Sequence, residues 1–181
     1  LEDLVDVAKN TIALSNSVTS DTMGEDERNG ALAEIKGLFM QAVNIANSTH
    51  EGKYIFNGYN VNTQPYEADE VNYQLTSTPT DAGQTIVQKY GKSQSIITNV
   101  NGETAVTPLL DGIRSVIDSL EAGTFNRDDL LAGVAQVTGA LETIKESLTT
   151  VGARQREMAT GITYLKNINV EIKSLLSQNE D

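Results

Sequence analysis

From Asn126 to about Gln178 the sequence places apolar residues at alternating steps of four and three: Leu130, Val134, Val137, Leu141, Ile144, Leu148, Val151, Met158, Ile162, Leu165, Ile172 and Leu176. That spacing is the seam of a left-handed coiled coil, and no Pro interrupts it. Only Gln155 and Asn169 break the ladder, both at the a position of the heptad. Asn126 supplies a helix cap, Asp129 stands three residues on, and Phe125 can staple onto Leu130. At ~1.5 Å per residue such a helix spans roughly 75 to 80 Å. A compact domain of 181 residues has no room for it, so the expected shape is a rod.

The glycines of this stretch carry more information than its charges. Gly133, Gly152 and Gly161 fall at e or g positions beside the seam, and each weakens a helix by ~1 kcal/mol relative to Ala. Two readings stand: tolerance of a weak surface position, or close approach of a neighbouring helix or subunit. Gly139, at an outward f position, supports no contact. Gln155 and Asn169 likewise divide between register-setting polar contacts and gaps in the bundle.

Upstream, residues Leu1 to about Thr19 form a helical stripe through Leu1, Leu4, Val5, Ala8 and Ile12, and a second helix is expected from about Asp26 to His50. The turn between them, Asp21 to Glu25, is acidic but lacks the one-residue ligand alternation of a calcium loop. Gly52 closes the second helix. From Lys53 to about Thr107 the period changes to short runs rich in Thr, Val, Ile and Tyr, expected as strands at Tyr54–Phe56, Asn72–Thr76, Thr85–Tyr90, Ser95–Val100 and Glu103–Val106. Turn signals separate them, among them Asn57-Gly58, Pro65, Pro79, Asp81-Ala82-Gly83 and Asn101-Gly102. Helix resumes at Pro108, capped by Thr107, with a stripe through Leu110, Ile113, Ile117 and Leu120.

The expected fold is therefore α+β: an elongated antiparallel helical bundle from residues 1–52 and 108–181, with one small β-rich inserted domain, residues 53–107, at one end. The first two helices and the Pro108 helix are expected along the seam of the long helix, the second of them antiparallel to it. The insert is too small for much core of its own and is expected to be separable from the bundle.

Composition narrows the function. Twenty-five acidic against 13 basic residues give a net charge of −12, which repels phosphate backbones and anionic lipid and disfavours nucleic-acid or membrane partners. Like-charge repulsion between such rods, and weak side contacts set against the cost of association, lead us to expect a monomer in dilute solution. There is no Cys, so disulfides, thiolate nucleophiles and zinc–thiolate sites are excluded. The single His, His50, has no sequence neighbour that would make it catalytic, and no phosphate loop, HExxH pattern or nucleophile elbow occurs. No enzyme, cofactor or metal is expected. Because the chain begins at Leu1 inside a helical pattern, it reads as a fragment trimmed at both ends.

Two stretches carry a family resemblance. Asn47, followed by Gly52-Lys53-Tyr54-Ile55-Phe56-Asn57-Gly58-Tyr59, resembles the helix end and Gly-x-Tyr-Leu-Phe-Ser-Gly motif of the flagellin superfamily, specifically its hook–filament junction members. The Thr-x-Pro-aromatic turn that follows in that family is here Thr63-Gln64-Pro65-Tyr66, and Val151-Gly152-Ala153-Arg154 matches the Val-Gly-Ala-Arg segment of its long helix. Tyr73-Gln74-Leu75-Thr76 departs from the Tyr-x-Gly-Asp common early in the family's β module.

The resemblance implies a flagellin-like rod and a structural, non-enzymatic role in the bacterial flagellum, joining hook to filament outside the cell. It also implies export by the flagellar type III pathway. The implied partners are like subunits in a ring, the adjacent hook-associated protein, flagellin or other filament-side subunits, and an export chaperone that binds terminal segments missing here. Flagellin itself is the near alternative. A periplasmic helical sensor or ligand-binding bundle, with flanking membrane helices, is the alternative from another class.

Overall fold

The computed structural model describes residues 1–19, 24–79, 83–91 and 94–180. The acidic turn at Asp21 and the turn signal at Asp81-Ala82 lie outside the described residues. Five helices and three short hairpins follow in chain order among the described residues: α1 (Glu2–Ser17), α2 (Glu25–Ala46), β1 (Thr49–His50), β2 (Lys53–Tyr54), β3 (Glu67–Asp69), β4 (Gln74–Ser77), β5 (Val87–Lys89), β6 (Ser95–Ile97), α3 (Gly102–Ala105), α4 (Thr107–Glu121) and α5 (Arg127–Glu180). At 54 residues, α5 is about 80 Å long. It runs without a break through Gly152 and Gly161. Asn126 caps it, its Oδ1 accepting from the Asp128 amide at 2.9 Å.

The core lies in one half of this rod. Leu130, Val137, Ala140 and Ile144 of α5 are buried against Leu109, Leu110, Ile113 and Val116 of α4 and Leu4, Val7 and Ala8 of α1. Two glycines set the distance between α4 and α5. A Cβ at Gly112 would stand 2.9 Å from the Val137 amide nitrogen, and one at Gly133 would stand 3.0 Å from that of Val116. The pairs 112/137 and 116/133 show that the two helices run antiparallel with their backbones touching. The start of α1 shares a hollow with Leu148 and Val151, so α1 also runs antiparallel to α5.

The second helix departs from expectation. It packs on α4 and α1 rather than along the seam of α5. Lys36 Nζ pairs with Glu121 at 2.6 Å, and Asn47 lies at the other end of α4, by way of Tyr66 and Thr107. So α2 is antiparallel to α4, and parallel to α5. It also ends earlier than expected, at Ala46, which leaves His50 in strand β1 and exposed.

Between the helices, the hairpins do not merge. Each pairs two neighbouring antiparallel strands: β1 with β2, β3 with β4, and β5 with β6. The expected strand at Glu103–Val106 is helical instead. Asn101 Oδ1 accepts from the Thr104 amide at 3.2 Å and nucleates a turn there, against the β preference of Thr and Val. Phe56, Tyr66, Ala105 and Val106 belong to the same core cluster as the helices, and Tyr73 meets Phe39 of α2 edge-on with centroids 6.3 Å apart.

Candidate functional site

Two places stand out: the knot that ties the β hairpins to the rod, and the far half of α5. The knot is built on Tyr66, fully buried and preceded by buried Pro65. Asn47, the residue that ends α2, grips its backbone from both sides. The Asn47 Nδ2 donates to the Tyr66 carbonyl at 2.8 Å and its Oδ1 accepts from the Tyr66 amide at 3.1 Å. The phenol donates to the Gly102 carbonyl at 3.0 Å and lies 3.1 Å from Thr107 Oγ1. That contact occupies the hydroxyl expected to cap the Pro108 helix. Burial pushes the phenol up to about 12, so it remains a donor across ordinary pH.

The other motif residues of this end frame the knot. Glu51 and Gly52 both have positive φ, 51° and 75°, as a two-residue hairpin loop of the primed type requires. Tyr54 donates its amide to Val61 at 2.9 Å, and Gly58 turns the chain with φ of 54°. Phe56 is buried, and its carbonyl lies 2.3 Å from where a Cβ on Gly102 would stand, so only Gly fits there. Asn47, Gly52, Tyr54, Phe56, Gly58 and Pro65 thus gather at one end of α4. Arg154 and Gly152 lie apart from them on α5. Arg154 Nη1 donates to the Asn99 carbonyl at 3.1 Å, which ties the module to the rod. Gly152 is half-buried, and a Cβ there would meet only the Arg156 guanidinium, at 3.8 Å.

Along α5 the seam changes character near Val151. Beyond it, Met158, Ile162, Leu165, Ile172 and Leu176 are 45%, 51%, 47%, 52% and 57% exposed. Gln155 and Asn169 are exposed with them. Gly161 meets the ring of Tyr90, whose Cε2 lies 3.2 Å from the position of a Cβ. Gly133 lies against α4 in the buried half. The structure therefore separates the five contact candidates: Gly133 in the core, Gly161 under a hairpin, Gly152 half-buried, and Gln155 and Asn169 facing solvent.

No convergent set of reactive groups accompanies these features among the described residues. They contain no cluster of three potential metal ligands, and none of their helices is long and apolar enough to cross a membrane.

The apolar seam of α5 runs on past the bundle, and the fold as a whole has counterparts among known proteins. No family model matches the chain. A structure from Legionella pneumophila, of flagellar hook-associated protein 3, superposes with a TM-score of 0.80 at 12% identity, covering 99% of this chain and 89% of that one. A structure from Vibrio parahaemolyticus assigned as a flagellar hook-associated protein gives 0.83 at 13% identity, over 96% and 79%. The chain has the fold of the flagellar hook-associated proteins. In sequence, flagellar hook-associated protein 3 of Escherichia coli K12 is 27% identical over 126 residues, 69% of this chain and 37% of that protein. The chain thus spans little more than a third of the curated relative it matches.

Within this hook-associated fold, sequence reasoning missed Gly112, Gly102 and Tyr90. Gly112 carried a usable signal, since it interrupts the apolar face made by Leu109, Leu110, Ile113 and Val116. Gly102 and Tyr90 did not. Their partners, Phe56 and Gly161, are remote in sequence.

Proposed function

We propose that this chain is the rod-and-module portion of a structural subunit of the bacterial flagellum, one that joins the hook to the flagellin filament. One observation carries the reading most: the fold matches hook-associated proteins over nearly all of the chain. The physics agrees. A helix whose apolar repeat outruns its own bundle is an assembly element, because a solvated seam gains stability only when a partner covers it. Helices with mostly local contacts also refold quickly after passage through a narrow channel.

On this reading the partners are like subunits in a ring, the adjacent hook-associated protein and filament-side flagellin. An export chaperone binds terminal segments, and the location is extracellular, reached by the flagellar type III pathway. The role is mechanical and not enzymatic. Residues 1–52 and 108–181 serve as the rod and residues 53–107 as its outward module. The motif residues Asn47, Gly52, Tyr54, Phe56, Gly58 and Pro65 fix the angle between rod and module, and Arg154 adds a tie further along α5. Gly152, Gln155 and Asn169 supply surface for neighbouring subunits.

Deleting the gene that encodes this chain tests the proposal. Cells should retain hooks, lose filaments and shed soluble flagellin, and the full-length gene should restore filaments. Normal filaments on the deleted background would reject the adaptor role.

A further inference from the structure

Past the bundle, the charges of α5 are sorted by side. Around a helix the heptad positions follow in the order a, e, b, f, c, g, d. Arg156 at b, with Lys166 and Lys173 at e, therefore lines one flank of the seam, and Glu157 and Glu171, both at c, lie on the other. No acid stands three or four residues from any of these three cations, so the helix cannot neutralise them itself. All three are exposed, and none makes an ion pair among the described residues. Lys9 and Lys145, by contrast, each find an acid on their own helix, three residues away.

The two flanks also differ in access. At the g positions Arg154 holds the Asn99 carbonyl, and the ring of Tyr90 sits over Gly161 with its hydroxyl donating to Glu157 Oε1 at 2.9 Å. The β5–β6 hairpin thus closes the acidic flank there. On the basic flank Ile162, Leu165, Lys166, Asn169 and Val170 border a shallow groove of about 550 Å³, and no described residue of the hairpin reaches it. Ile162 and Leu165 are about half exposed along its apolar edge.

We propose that this flank docks an amphipathic helix whose own edge is acidic, laid against Ile162 and Leu165 with its carboxylates facing Lys166 and Lys173. Two observations choose that partner. An apolar face bordered by cations selects the opposite charge at the facing edge. The face is also continuous with the one that α1 covers inside the bundle, and α1 brings three acids, Glu2, Asp3 and Asp6, against one Lys. A second copy of the chain fits less well: its hairpin closes the same flank, so two copies meet lysine edge to lysine edge. An anionic bilayer fits less well too, because a flat surface meets the whole rod, whose net charge is −12, and not one edge of it. For a single helix, salt screens the acidic body beyond ~8 Å and the local cations decide.

Two synthetic peptides of roughly three heptads test this, both with Leu at a and d, one with Glu and the other with Lys at e and g. Like charges keep each peptide from pairing with itself. Fluorescence anisotropy against the whole chain, at about 0.15 M salt, should show the Glu peptide bound roughly tenfold tighter than the Lys peptide. Lys166→Glu combined with Lys173→Glu should reverse that order. Ile162→Asp should weaken the Glu peptide by roughly tenfold or more, and the variant folds because Ile162 is half exposed and outside the core cluster. Equal binding, no binding, an order that survives the double reversal, or indifference to Ile162→Asp would each overturn the proposal. So would binding of the chain to phosphatidylglycerol vesicles through Lys166 and Lys173, which assigns the flank to lipid, or a dimer in sedimentation that Ile162→Asp abolishes, which assigns it to a second copy. The deletion phenotype is read separately, so a failed titration leaves the adaptor role standing.

Discussion

Between Leu130 and Ile144 the repeat of α5 is buried, and between Met158 and Leu176 the same repeat stands in water. The steps of four and three are the same in both halves, although Asn169 interrupts the ladder in the exposed one. What differs is the partner: α1 and α4 end alongside the first half, and Gly112 and Gly133 let the α4 backbone close to contact there. A heptad ladder states which face of a helix is adhesive, and whether that face stabilises a fold or an assembly depends on what the chain brings to it. The first half holds this molecule together. The second half contributes little to its folding free energy.

The largest expected effect is a contrast between equivalent seam positions. Ile144→Ala should destabilise the chain by about 2–5 kcal/mol, as buried Ile deletions do, whereas Ile172→Ala should stay within about 0.5 kcal/mol of wild type. Urea unfolding of the two variants measures both. Similar losses at both sites would mean that the far half is covered in solution, and the contrast would collapse.

A second pair of variants asks whether the glycines matter for the same reason. Gly112→Ala drives a methyl into the Val137 backbone and should cost about 1–3 kcal/mol. Gly139→Ala meets nothing within 4 Å and should stabilise the helix by up to ~1 kcal/mol. Thermal melts yielding the same sign for both would show that α4 and α5 are further apart than described.

The smallest effect sharpens the comparison from the polar side. A buried a-position amide would make Asn169→Leu stabilising by ~1–3 kcal/mol. Asn169 is exposed, so the melting midpoint of the isolated chain should not move. A rise of several degrees would mean that this position is buried in solution.

The helical frame was legible in the sequence because its signals are local. The seam of α5, its cap at Asn126 and the stripe of α4 all follow from neighbours within one or two turns. The module resisted for the opposite reason. Its strands are two to four residues long, too short for alternation to identify, and at Glu103–Val106 a side-chain cap from Asn101 overrides β preference. The knot around Tyr66 was visible only as a motif. Asn47 closes α2 because its side chain is engaged 19 residues away, and no local rule places that stop. The packing of α2 against α4 was misjudged because its broad stripe suits either neighbour.

Seen as a beam, α5 is clamped within its first half and projects beyond. From Ile144 to Glu180 it extends about 54 Å, touched past Val151 by little more than the hairpin region. The direction of α5 beyond the bundle is therefore fixed by the clamp, where Gly112 and Gly133 set the spacing. A tilt of about 5° at that clamp sweeps the far end by roughly 5 Å, close to one helical turn. Side chains in the clamp thus decide where the stretch beyond it points, and one methyl group there can steer it.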